Sequence, residues 1–316
     1  MIRTLASILM IIILSGCAYN VSGTQTERVG MLVETSVEDQ AWGQKGYKGL
    51  KSIEENYDVD IYHKEGIDTY QKTSLAVQEL VENGTKVIFG HSNSYGEYFQ
   101  ELHGDYPDVQ FIYFNGDYVA DNVTSINFDS TAMGFFGGMV AAEMSETNKI
   151  GMIASFSWQP EVEGFYEGVK HVSPDASVHV NFTNSWDNTK RAYEIYREME
   201  ALDVDVFYPA GDQFSAQIIQ QAERDGHYSI GYVMDQSDLG ARSVLTSTVQ
   251  HVDQLYVSTM ELVMDGDLEG KKYTYDFGND AISLGEFSPE VPPSVQSDIE
   301  KDINEYKDSG ELPNRP

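Results

Sequence analysis

The side chains that could carry chemistry are few in kind and scattered along the chain. Seven histidines occur, with no metal-ligand pair at helical spacing, and neither an H-E-x-x-H nor a G-x-S-x-G run is present. The run from Gly66 to Thr73 comes near a phosphate-binding loop, but Gln71 stands where the second glycine must let backbone N–H groups wrap a phosphate, and Asp68 adds charge of the wrong sign. His91 is the one histidine placed near a strand end, where it reads as a polar loop residue or a ligand contact. Nothing assembles a nucleophile, a base and an oxyanion hole. The expectation is a binder: no enzyme, no catalytic residues, no cofactor and no metal.

What remains is a constellation in loops that follow predicted strands. These loops carry Asp39 and Trp42, then Ser92 and Asn93 beside His91, then Asn115 to Asp117. Further along they carry Phe156 to Trp158, Trp186 and Asp187, Gly211 and Asp212, Asp235 and Gln236, and Ser247 with Gln250. All three tryptophans fall in such loops. Indole faces stack on flat rings, while carboxylates and amides hold hydroxyls and ring nitrogens, so the mix suits a nucleoside or another cyclic polar solute. From spacing alone, Trp42 could equally close a core edge and Asp39 could be a helix N-cap.

The elements that must position these loops are legible as alternation. From Arg28 onward, short apolar runs alternate with helical patterns, the signature of βαβ units and a parallel sheet. Strands are expected over 29–33, 59–62, 87–89 and 109–114, and helices over 44–56, 71–83 and 95–105, with Leu75, Val77, Leu80 and Val81 inward on the second. A second series of similar length runs from 149 to 232. Between them, the small-residue helix over 130–145 contains Gly134, Gly137 and Gly138, read as close helix packing rather than phosphate binding. Two such series imply two lobes with a cleft between them. The expected division is 28–128 with 246–285 in the first lobe, and 129–245 with 286–316 in the second.

The ends and the charge bound the setting. Arg3, the apolar run over 5–14 and the Leu14-Ser15-Gly16-Cys17 sequence read as a signal peptide, residues 1–17, closing on a bacterial lipobox. Cys17, the only cysteine, would become the lipid-modified N-terminus, with 18–27 as a tether to the fold on the extracellular face of the cell membrane. With 51 acidic and 20 basic residues the net charge is -31, which argues against direct nucleic-acid binding. A monomer is expected.

The chain resembles the basic membrane protein (BMP), or PnrA-like, family of substrate-binding lipoproteins. The family's opening pattern, D-x-S-F-N-Q-x-x-W-x-G-L, is similar to the run from Asp39 through Trp42, Gly43 and Gln44 to Tyr47, Gly49 and Leu50. Its Y-P-D-x-x-F-x-x-x-D-G is similar to Tyr106 through Phe111 to Asn115 and Gly116. Later motifs are matched by Ala210 and Gly211, by Asp235 and Gln236, and by Leu245 through Ser247 to Gln250. The resemblance is closest to the Med-type branch of bacilli, whose members are often named transcriptional activators of competence.

The resemblance implies a type I periplasmic-binding-protein fold, two doubly wound parallel-sheet lobes closing on a ligand for an ABC importer permease. It implies a purine ring held between two aromatics, Trp42 and Trp186 here, with Asp235 and Gly211 near the sugar. Asp39, Gln44, Ser92, Asn93, Asn115 and Gln250 complete the expected ligand-binding set. Four positions depart from the family pattern: Asn115 replaces an acid, Gln250 a lysine, Gly43 an asparagine and Val233 an acid. The alternative expectation is a regulatory lipoprotein on the same fold, acting indirectly and without transport.

Overall fold

The computed structural model describes residues 27–38 and 41–315. The signal segment with Cys17, all of the tether but Glu27, and Asp39 therefore lie outside the described residues. In the first lobe the apolar runs become β1 (Arg28–Leu32), β2 (Asp60–Lys64), β3 (Val87–Gly90), β4 (Gln110–Phe114) and β5 (Val123–Phe128). They alternate with α1 (Ala41–Asn56), α2 (Tyr70–Glu82) and α3 (Tyr95–Leu102). With β11 (Lys272–Tyr275) they form a six-stranded sheet in the order β11-β5-β4-β3-β1-β2, parallel throughout. Central strands β3 and β4 are buried almost end to end, as a parallel sheet covered by helices on both faces requires.

The second lobe repeats the plan. Strands β6 (Lys149–Ala154), β7 (Ser177–Phe182), β8 (Val206–Ala210), β9 (Tyr228–Val233) and β10 (Val244–Gln250) join β12 (Ile282–Leu284). Their order is β12-β10-β9-β8-β6-β7, with only β12 antiparallel. Helices α5 (Pro160–Val172), α6 (Thr189–Glu200) and α7 (Asp212–Asp225) supply the crossovers. In each sheet the strand order reverses beside the first strand of the series, which creates a crevice at the carboxyl ends, where ligands bind in open α/β sheets. The two-lobed α/β expectation therefore holds.

The lobe boundaries differ from expectation. Segment 246–285 does not belong to one lobe: β10 and β12 lie in the second sheet, while α8 (Val252–Asp265) and β11 return to the first. The strand β10 reads as a lone apolar run, but its inner neighbour β9 pairs with it in parallel, and that fixes its lobe. The chain thus crosses between lobes after β5, after β10 and between β11 and β12. Backbone hydrogen bonds from Asp129 N–H to Tyr275 O and from His251 N–H to Ala281 O, each 2.8 Å, tie the crossings to one another. α9 (Pro293–Ser309) closes the second lobe against α4 (Ser130–Met144), where Tyr306 meets Phe136 edge-on.

Two local readings also change. Strand β5 was not expected, because Thr124, Ser125 and Asn127 interrupt its apolar residues; inside the fold these polar groups bond to Glu269 O and Gly116 O. On α2 the inward residues are Thr73, Ala76, Val77 and Leu80, while Leu75 is exposed.

Candidate ligand-binding cleft

The carboxyl ends of both sheets face a single cavity of about 340 Å³. Its lining includes Trp42, Ser92, Asn93 and Asn115 from the first lobe, and Trp186 from the second, with Gln250 at the crossing between them. Six of the ten expected contact residues are thus brought together. Asp39 is outside the described residues, and the other three do not line the cavity. The Gln44 amide donates to Glu38 O at 2.8 Å and so closes the loop before α1. Gly211 is the residue before α7, where a Cβ would run into the Phe214 ring. Asp235 accepts from Ser237 N–H at 3.0 Å and Glu286 N–H at 3.2 Å, which pins the loop after β9 to the chain after β12. Burial raises its carboxyl pKa, but these backbone donors outweigh burial and hold it below the usual range.

Trp42 sits in the first turn of α1 and is fixed from several sides. Its indole stacks on His91 at 4.5 Å and 14°, and its ring N–H donates to His91 O at 3.1 Å. His91 Nε2 lies 2.7 Å from Trp42 O, and a carbonyl can only accept, so Nε2 carries the proton. Nδ1 is then left to accept from the Tyr256 hydroxyl at 3.0 Å. Burial drives the imidazole pKa down to about 4, so the ring is neutral and serves as a brace behind Trp42.

Across the cleft stand Trp158 and Trp186, in edge contact at 5.9 Å and 73°, with Phe156 stacked on Trp158 at 5.3 Å. Both indoles are exposed to the opening. The Trp186 carbonyl accepts from Asp212 N–H at 3.1 Å and Gln213 N–H at 3.3 Å, satisfying N–H groups at the start of α7. Asp212 in turn reaches over to the other lobe, where its Oδ1 accepts from Trp42 N–H at 3.1 Å.

The cavity floor holds groups that the strand-end pattern alone did not single out. Glu161, in the first turn of α5, is buried, and its Oε1 accepts from Tyr232 at 2.9 Å and from the Gln159 amide at 2.8 Å. Burial raises its pKa against the opposing pull of those hydrogen bonds. Its signal in the sequence was the neighbouring Pro160, which starts a helix directly after a strand-end loop. Lys272 also lines the cavity, where it pairs at 2.6 Å with Asp117, an acid the strand-end pattern did include.

The four departures have local causes or consequences. A Cβ at Gly43 would meet Ser36 O at 2.9 Å, so α1 approaches that loop too closely for a side chain. Asn115 takes a left-handed φ of 59°, which Asn tolerates well. Val233, a β-branched residue, adopts φ 65° at the cavity wall, a strained conformation of the kind that clusters at binding sites. The Gln250 amide donates to Ser130 Oγ at 3.2 Å at the start of α4, and its backbone carbonyl accepts from Lys45 Nζ at 3.0 Å.

A family profile described as Bmp, ABC transporter substrate-binding protein PnrA-like, matches residues 26–315. The chain belongs to the Bmp family. It is 45% identical to the transcriptional activator protein med of Bacillus subtilis, over 96% of both chains. It is 25% identical to a purine-binding protein of Brucella abortus, over 75% of this chain and 67% of that one. Among solved structures, a transcriptional activator of the comK gene from Bacillus halodurans is 45% identical, with TM-score 0.86 over 90% of this chain and 99% of that chain. An ABC transporter solute-binding protein from Conexibacter woesei has TM-score 0.74 at 19% identity, over 90% and 97% of the two chains, a likeness of fold. The fold is that of type I periplasmic-binding proteins, and the Bmp family is one of substrate-binding proteins rather than enzymes.

Proposed function

We propose that this chain is a lipid-anchored extracellular receptor whose lobes close on a nucleoside-like solute, held by ring stacking and hydrogen bonds with no covalent step. The observation that carries the reading is that Trp42 of one lobe and Trp186 of the other line the same cavity. A flat ring between them gains about 1 kcal/mol per aromatic contact beyond burial. The amides of Asn93, Asn115 and Gln250 supply donors and acceptors for ring nitrogens and hydroxyls. The purine-binding name of the Brucella relative supports a purine-type ring. The lipobox at Cys17 supports attachment to the membrane, and the family supports delivery to an importer permease.

A second reading, a regulatory lipoprotein without transport, is favoured by the 45% identity to the Bacillus subtilis activator. On that reading the route to transcription is indirect, because the net charge of -31 opposes contact with nucleic acid.

A thermal-shift screen of nucleosides and bases on the full chain, followed by calorimetry, tests the binding. Saturable binding with a change in tryptophan fluorescence is expected. No nucleoside binding by either the wild type or Gln250→Lys would sink the nucleoside reading. Loss of nucleoside uptake on deleting the gene supports transport; altered competence expression with intact uptake supports regulation. Release of Cys17→Ala protein into the medium is the expected sign of lipid anchoring, and unchanged membrane retention counts against it.

A further inference from the structure

The cavity is acidic. Glu34, Asp117, Glu161 and Asp212 line it, against one basic side chain among the described lining residues, Lys272. Lys272 is already held by Asp117 at 2.6 Å, and His91 is kept neutral by burial. Glu34, half-buried in the loop after β1, has no ion-pair partner among the described residues. A phosphate or carboxylate entering here meets like charge with no cation left to receive it.

The same cavity is lined by every tryptophan of the chain. Trp158 and Trp186 stand at 73° to each other and form an indole corner, with Trp42 across the cleft. The indole face is the aromatic surface that attracts cations best, through the negative face of its quadrupole. A neutral ring would stack equally well on these faces, but it would gain nothing from the Glu34 carboxylate. A ring that carries positive charge gains from both.

We propose that the cleft selects heteroaromatic cations, flat nitrogen rings bearing a positive charge, with the indoles taking the ring and Glu34 supplying the countercharge. The inference rests on the reading of this cavity as the site for a nucleoside-like ring, and it narrows that reading to a charge class.

Two pairs of probes isolate the charge: adenosine with 1-methyladenosine, and nicotinamide with 1-methylnicotinamide. In each pair one methyl group places a positive charge on the same ring at neutral pH. Calorimetry on the full chain in detergent is expected to show each cation binding about tenfold tighter than its neutral partner. In Glu34→Gln the gap should narrow several-fold. If a neutral compound binds as tightly as its methylated partner, the inference is overturned while the nucleoside reading stands. Binding of none of the four overturns both. A gap unchanged in Glu34→Gln removes Glu34 as the countercharge and overturns the assignment as stated. The wild-type comparison decides the charge preference even if that variant fails to fold.

Discussion

His91 shows how much a single residue settles. Its ordinary pKa of 6.5 falls to about 4 in the fold because burial disfavours the charged ring. Between those values the unfolded chain binds a proton that the folded chain refuses, so stability falls as pH drops through this window. The contribution lost between about pH 7 and about pH 5 is about 2 kcal/mol. Urea unfolding at both pH values should show a drop in the wild type that is smaller by about that amount in His91→Gln. At this scale the sequence was informative where a residue type is rare. Three tryptophans at strand ends were legible as a cluster, and all three line the cavity. Asp235 was legible as a loop acid but not as a loop pin, because its partners Ser237 and Glu286 include a residue far along the chain. Glu161 was hidden for the opposite reason: one acid among 51 acidic residues carries no mark of burial.

Among the elements, the α4–α5 pair is the tightest contact. Gly134 and Gly138 of α4 lie against Glu161 O and Phe165 O of α5, while Gly164 and Gly168 of α5 lie against Thr131 O and Phe135 O of α4. A methyl group at Gly164 would run into the α4 backbone at Thr131 and Phe135, which cannot rotate away as a side chain can. Gly164→Ala should therefore cost at least about 3 kcal/mol in chemical denaturation, at the upper end of overpacking effects. The glycine-rich pattern in α4 implies close packing, and its partner in α5 explains the spacing. Strand β5 is illegible in the sequence because its buried Thr124 and Ser125 look like surface residues until their acceptors, Glu269 O and Gly116 O, are known. The division of segment 246–285 was illegible for a related reason. Periodicity identifies a strand, but only pairing assigns it to a sheet.

For the whole molecule, the two-series alternation was enough to reveal two lobes and a cleft. The contacts that join the lobes were not legible, since they depend on how the three crossings set one lobe against the other. Lys45 reaches from α1 to Gln250 O, and Asp212 reaches from α7 to Trp42 N–H. The second contact has a consequence for how opening would be detected. The first amides of a helix have no partner within it, and here a carboxylate of the opposite lobe serves one of them. Separation of the lobes would expose that amide and let the first turn of α1 fray. Hydrogen exchange at Trp42 should thus follow cleft opening, slowing when a ligand bridges the lobes and quickening in Asp212→Ala while the exchange of β3 stays unchanged. Equal exchange at Trp42 in the wild type and in Asp212→Ala would show that the turn holds itself. Where the exchange does quicken in that variant, the helix end is a built-in reporter of lobe separation, read from one backbone proton without any label.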